Sequence, residues 1–480
     1  MSGPVSVCSA NPHYFAYDGK PIVLITSDLH YGAVINADFD YTAFLDKLRS
    51  RGQNFTRIYP GPYIEKENDY VAGNNLGPAS GRQIFPWVRT ATPGAHPVLG
   101  GLKFDLDRWD ASYFARLRDF CAKAEERGII VEICLFNGMY ADRWPFQAMH
   151  RANNMQGAGI CDWDMVQSLT GDPRLVSYQE QYLAEITRKL NDFDNVIFHI
   201  CDEPWMCRKS PAVFGPWVGR MIDVFKDTER ALPRKHLLGQ TVDWLMRNNE
   251  ADFSSDSRIQ YIDIEYAKGI DDLENEYAHD KPIVYIESVF YPDMFKGDRI
   301  AGTRVEAWEF MVGGCAGFMH LNGLYSTFNA AADGTEIDAV LDVFAGLRAF
   351  LERFDLFSMH KDMSFIVGGV PPGAFACAIS EPGCQYGFYI HHSVCQDPFH
   401  NTPDPGISRS SRLLSYVATP GSYDETFTFR FPAGHYTAEW INPATGSVVR
   451  RDSFLHTGGD RTITAPEYSI DIALKMVVRT

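Results

Sequence analysis

The chain has 480 residues, 45% of them apolar, which supports a large core with room for a second module and excludes wholesale disorder. Its 61 acidic against 44 basic residues give a formal charge of -17, which disfavours a nucleic-acid backbone or an anionic membrane as partner. A neutral ligand fits that balance better, and oligomerisation is left open.

No apolar run approaches the length of a bilayer span, and residues 1–10 lack a basic region followed by an apolar stretch. A cytoplasmic protein is expected, with secretion open if a leader was removed. The ten cysteines are scattered, and Cys201 and Cys207 are not a CxxC pair, so neither a disulfide framework nor a zinc site is expected. No cofactor and no metal are expected.

In chain order, residues 11–20 read as a hairpin punctuated by Asp18-Gly19. Residues 21–27 are a strand ending at Asp28-Leu29-His30, and 39–51 a helix stopped by Gly52. Residues 54–59 give the next strand. The Gly/Pro-rich stretch 60–101 is too broken for core, and its Tyr63, Tyr70 and Trp87 either line a cleft or pack on the surface. Residues 107–127 are a helix, 129–136 a strand ending at Asn137, and 174–190 a helix. Residues 196–200 are an apolar strand stopped at Cys201-Asp202-Glu203-Pro204. A helix over 211–231 starts on a proline, where a missing amide costs least. Strands at 236–241, 259–264 and 281–286 follow, the last stopping at Glu287. A helix over 304–312 leads to the strand 315–319 and then His320-Leu321-Asn322. The helix 337–354 closes the series.

Eight strands with helical or irregular crossovers are what a closed (β/α)8 TIM barrel requires. A doubly wound open sheet competes, but it advertises a glycine-rich first turn, and the first turn here is Ser27-Asp28-Leu29-His30. After residue 356 the pattern changes to short alternating runs with turns, including 425–431, 435–441, 446–449 and 461–464, which predicts an all-β sandwich. The expected division is therefore a barrel over 1–355 and a β-sandwich over 356–480.

The strand ends supply the chemistry. Glu203 ends the fourth strand and Glu287 the seventh, so both side chains are expected on the catalytic face of a barrel. Paired carboxyl groups across a pocket are what acetal hydrolysis needs, one protonated and one ionised. Arg57 in the second strand is expected to orient and ionise Glu287, with a structural ion pair as the alternative. Asp28, His30, Asn137, Tyr266, His320 and Asn322 also stand at strand ends and together would read sugar hydroxyls, with Trp205 stacking on a sugar face. Each has a turn or packing role as its alternative. Asp263 and Glu265 share one facing and rank below Glu287.

Asp202-Glu203-Pro204 resembles the Asn-Glu-Pro signature of the clan GH-A glycoside hydrolases, and Ile286-Glu287 resembles their strand-seven nucleophile position. The segment 54–59 is similar to the strand that carries the supporting arginine. Asn11-Pro12-His13-Tyr14-Phe15 with Gly19-Lys20-Pro21 is similar to the entry segment of the DUF4038 (apiosidase-like) barrels, which often carry a C-terminal module named for collagen binding. The resemblance implies a retaining, exo-acting glycosidase with Glu203 as acid/base and Glu287 as nucleophile. It departs at Asp202, where the clan has asparagine, and that admits a furanoside or branched sugar. A non-catalytic carbohydrate-binding protein, or a transglycosylase or lyase on the same barrel, is the alternative.

Overall fold

The computed structural model describes residues 3–29, 31–61, 63–64, 76–242, 253–265, 269–288, 298–396 and 415–479. Eight parallel strands form the barrel wall: β1 Leu24–Leu29, β2 Phe55–Ile58, β3 Ile130–Asn137, β4 Val196–Asp202, β5 Leu238–Val242, β6 Tyr261–Ile264, β7 Ile283–Ser288 and β8 Gly317–Asn322. They pair in the cyclic order β1-β8-β7-β6-β5-β4-β3-β2. Every residue of β1, β2, β4, β5, β6 and β7 is buried, because helices cover the outside and side chains fill the inside.

Side chains, with one long backbone bond from Asn54 N to Ile25 O at 3.4 Å, close the remaining seam, between β1 and β2. Asn54 accepts from Ile25 N at 3.0 Å through Oδ1 and donates to Val23 O at 2.8 Å through Nδ2. Further along, both carboxylate oxygens of Asp28 accept from Thr56 Oγ1 at 3.0 Å, and Oδ2 also accepts from the Arg57 amide at 2.6 Å.

Caps set the helix starts. Asp40, Asp110, Asp172 and Asp298 each accept from amides in the first turn of the helix that follows. The helix expected from 107 therefore begins at Ala111, and Leu102–Trp109 instead pairs antiparallel with Trp87–Pro93. This hairpin lies in the stretch expected to be too broken for core. Trp87 is buried there, with its ring 6.1 Å from that of Trp109, so it packs and lines no cleft. Tyr63 is buried as well, and Tyr70 lies outside the described residues.

The C-terminal region is one antiparallel sheet folded over itself. Its strands are β9 His360–Lys361, β10 Ile366–Gly368, β11 Ala374–Glu381, β12 Gln385–Gln396, β13 Ser415–Ala418, β14 Thr426–Asn442, β15 Ser447–Thr464 and β16 Asp471–Val478. Its strands are fewer and longer than expected. The runs at 425–431 and 435–441 join into β14, and those at 446–449 and 461–464 join into β15. The first half of β14 pairs with β10 and the second half with β16, so the strand passes from one part of the folded sheet to the other. One face packs its own aromatic core around Phe388, Phe429 and Trp440. The other, through Cys377, Ile379, Tyr389 and Ile441, joins the same apolar cluster as the barrel side chains Trp308, Phe344 and Phe350.

Candidate active site

The interior of the barrel carries a column of charge. At its base Tyr261 donates to Glu132 Oε1 at 2.6 Å. Glu132 lies 3.1 Å from Arg57 Nε, and His199 Nδ1 hydrogen-bonds Asp263 Oδ2 while its Nε2 meets Thr241 Oγ1 at 2.8 Å. All six side chains are within 2% of complete burial. Burial alone would drive these groups to their neutral forms, and their neighbours decide otherwise. Against desolvation, His199, whose Nδ1 is 3.7 Å from Glu132 Oε1, and the charge of Arg57 bring Glu132 down to about 2. Asp263, by contrast, is pushed up to about 7 by burial and by the charge of Glu132. Against its own burial, His199 is raised to about 9 by Asp263 and Glu132.

Above this layer Arg57 reaches the strand ends. Nη2 donates to Asp202 Oδ1 at 2.6 Å and Nη1 to Glu287 Oε1 at 3.1 Å. Tyr59, two residues on and so on the same side of β2, donates to Asp202 Oδ2 at 2.6 Å and lies 3.2 Å from Glu287 Oε1. Asn137 Nδ2, from the end of β3, adds a contact to Asp202 Oδ2 at 3.0 Å. Burial opposes the charge on Asp202, but the guanidinium and these donors win and hold its carboxyl well below the usual range. Burial keeps the Tyr59 phenol neutral, hence a donor.

Both glutamates leave their strands through strained backbone. Glu203 has φ 44° and Glu287 φ 53°, a left-handed conformation that costs a non-glycine residue about 1–3 kcal/mol. At Glu287 the β7–β8 register shifts between Tyr285 and Ser288, a bulge that re-aims the side chain from wall to mouth. At Glu203 the β3 loop presses close: Gly138 N donates to Asp202 O at 2.7 Å, and a Cβ at Gly138 would stand 2.1 Å from Glu203 O. Only glycine fits there. Tyr140, two residues later, donates its hydroxyl to Glu203 Oε2 at 2.8 Å.

Among the described residues two sets of ligand-type atoms lie within 4.8 Å of one another, Asp202 with Glu265 and Glu287, and Glu132 with His199 and Asp263. Arg57 already stands against two members of the first set, and a direct His–Asp bond occupies the second. The second set is an ion-paired network, whereas the first gathers more carboxyl groups than its one guanidinium balances.

The fold is shared with glycoside hydrolases. A candidate glycoside hydrolase from Bacteroides vulgatus superposes with a TM-score of 0.66 at 14% identity, over 99% of this chain and 82% of that one. A family 5 glycoside hydrolase from the same organism gives 0.61 at 11% identity, over 99% and 94%. A third structure, described as a glycoside hydrolase, gives 0.59 at 11% identity, over 99% and 97%. No protein-family model matches the chain, and no curated protein matches it.

The expected site residues divide into three groups. Glu203, Glu287, Arg57, Asp202 and Asn137 come together at the mouth, and Trp205 lies in the short 3-10 turn just after Glu203, half-buried against the core. The Asp28 carboxylate, the Nδ1 of His320 and the Asn322 amide bond the wall instead of being gathered with these residues. Asp28 closes the β1–β2 seam, and burial raises it to about 7. His320 Nδ1 meets Ser27 Oγ at 2.8 Å, with the ring held neutral by burial at about 3. Asn322 Nδ2 also bonds Ser27 Oγ at 2.8 Å. His30 and Tyr266 lie outside the described residues. Tyr59, Tyr140 and Glu132 were not expected. Strand parity with Arg57 would have found Tyr59, whereas Tyr140 sits on a loop that carries no such signal.

Proposed function

We propose that the chain is an O-glycosyl hydrolase acting by double displacement on a terminal sugar, with Glu287 as nucleophile and Glu203 as general acid/base. One observation carries this reading. Two glutamates at the ends of non-adjacent strands are held in strained backbone at one mouth, each with a different partner. Arg57 donates to Glu287, and the Tyr59 hydroxyl lies 3.2 Å from the same oxygen, which favours the ionised form a nucleophile needs. The Tyr140 hydroxyl positions Glu203.

In the first step Glu203 gives its proton to the glycosidic oxygen while a Glu287 oxygen bonds to the anomeric carbon and the leaving alcohol departs. In the second, Glu203 takes a proton from water, whose oxygen displaces Glu287 and releases the free sugar. Retention calls for the two carboxyl groups to stand about 5–5.5 Å apart. The aspartate at 202, where the clan has asparagine, favours an atypical substrate such as a furanoside or branched sugar. The apiosidase-like affinity and a barrel-capping role for the C-terminal sheet belong to the same proposal.

A panel of aryl pyranosides and furanosides in both anomers tests it. Glu203→Ala should lower turnover about 10²–10⁴-fold. Glu287→Gly should lower it by roughly three orders or more, and azide should restore activity as a glycosyl azide of opposite anomeric configuration. Wild-type turnover in Glu287→Ala would end the assignment, and binding without turnover on any glycoside would move the chain to the carbohydrate-binding proteins. Transfer without release of free sugar would indicate a transglycosylase.

A further inference from the structure

Glu265, one residue past β6, is 1% exposed, and among the described residues neither of its carboxylate oxygens has a hydrogen-bond donor. It nonetheless offers an oxygen within 4.8 Å of oxygens on both Asp202 and Glu287. An ionised carboxylate buried without a donor, beside two others, is among the costliest arrangements a protein interior can hold. A proton or a cation must relieve it.

The surroundings favour the proton. Among the described residues, the charged and titratable side chains gathered here are Asp202 and Glu203 at the end of β4, Tyr285 and Glu287 from β7, and Arg57 and Tyr59 from β2 and just past it. Beneath them stand Glu132, His199 and Asp263. Asp202 is already satisfied as an anion by Arg57, Tyr59 and Asn137. A divalent ion between Asp202 and Glu287 would face the guanidinium that both already contact. Two carboxylate oxygens repel until one carries hydrogen, after which the same contact becomes a short hydrogen bond.

We propose that Glu265 stands in the site as a neutral carboxylic acid whose hydroxyl donates to Asp202, so that one guanidinium holds two ionised carboxylates, Asp202 and Glu287. Burial and the charges of Asp202 and Glu287 act in the same direction, raising the Glu265 carboxyl well above its ordinary value. Glu265 is thus a positioning residue. It keeps Asp202 and Glu287 apart in charge without a second cation, and its proton is part of the resting site. The catalytic meaning rests on the glycosidase reading; the protonation state does not.

The test therefore uses readouts that need no turnover. Infrared difference spectra of wild type minus Glu265→Gln at neutral pH should show the carbonyl stretch of a protonated acid, shifted in D2O. Absence of that band overturns the proposal. The sign of the pH effect follows from linkage. The folded state keeps a proton that the unfolded chain loses near pH 4.3, so wild-type stability falls as pH rises from there toward the folded value. Glutamine is neutral throughout and still donates to Asp202, so the Tm of wild type relative to Glu265→Gln should fall between pH 5 and 9. A difference that is flat or rises overturns the proposal. A wild-type Tm raised by Ca2+, Mn2+ or Zn2+, lowered by EDTA and insensitive to both in Glu265→Gln would replace the proton with a cation.

Discussion

Arg57 is 2% exposed and faces three carboxylates, Glu132 below it and Asp202 and Glu287 above. One planar fork serves all three because its nitrogens point along different edges, which a lysine ammonium cannot imitate. Arg57→Ala leaves buried negative charges facing one another, and it is expected to destabilise the fold by about 3–5 kcal/mol in denaturant titrations. Arg57→Lys keeps the charge and should fold, yet lose turnover, because Glu287 is no longer gripped. An Arg57→Ala variant as stable as wild type would mean that the carboxylates are not ionised. At this scale the sequence revealed which residues end strands but not where their polar atoms go. Position placed Glu203, Glu287 and Arg57 at strand ends, and the resemblance to the clan's motifs singled them out. Asp28, His320 and Asn322 occupy equivalent positions and were indistinguishable from them, because a wall partner such as Ser27 or Thr56 lies on another strand and leaves no trace in the local pattern.

The strands and helices were legible where one physical signal dominated. All eight barrel strands stand where apolar runs end in polar residues, since burial on both faces leaves no room for alternation. The pattern failed where a turn signal had another use. Pro432-Ala433-Gly434 in β14 lies across from Thr457-Gly458-Gly459 in β15, with Phe431 paired to Gly459 and Ala433 to Thr457. Gly458 and Gly459 have φ 95° and 91°, so both strands bend together and neither one ends. The β1–β2 seam was equally hidden, because an asparagine side chain does there what backbone does elsewhere. Asn54→Ala leaves the Ile25 amide and the Val23 carbonyl without partners, each worth roughly 1–3 kcal/mol. A loss of about 2–4 kcal/mol in urea unfolding is expected, with little change in the kcat of the folded fraction. A neutral outcome would mean that β1 and β2 can close the barrel through their backbones alone.

The molecule as a whole is held together by the helix Arg299–Val312, which lies between β7 and β8 in sequence. From Ala301 to Val312 it has no exposed residue, because the barrel covers part of its surface and the C-terminal sheet covers the rest. Arg304 donates from Nε and Nη2 to the two oxygens of Asp471 at 2.9 Å each, and Tyr389 donates to the same carboxylate at 3.0 Å. Trp308 stacks on Tyr389 with ring centroids 5.4 Å apart. Along this interface Gly302 is the tightest point, where a Cβ would stand 2.6 Å from Tyr416 O on β13. Gly302→Ala must therefore push β13 away from the helix, although alanine favours the helix itself by up to about 1 kcal/mol. If the sheet were an independent appendage, helix propensity would win and the variant would gain stability. Because helix, barrel and sheet share one core, the clash should win, costing about 1–3 kcal/mol as overpacking does. Calorimetry decides between them: a single transition moved to lower temperature is expected, whereas a separate early transition for the sheet would show two units that melt on their own.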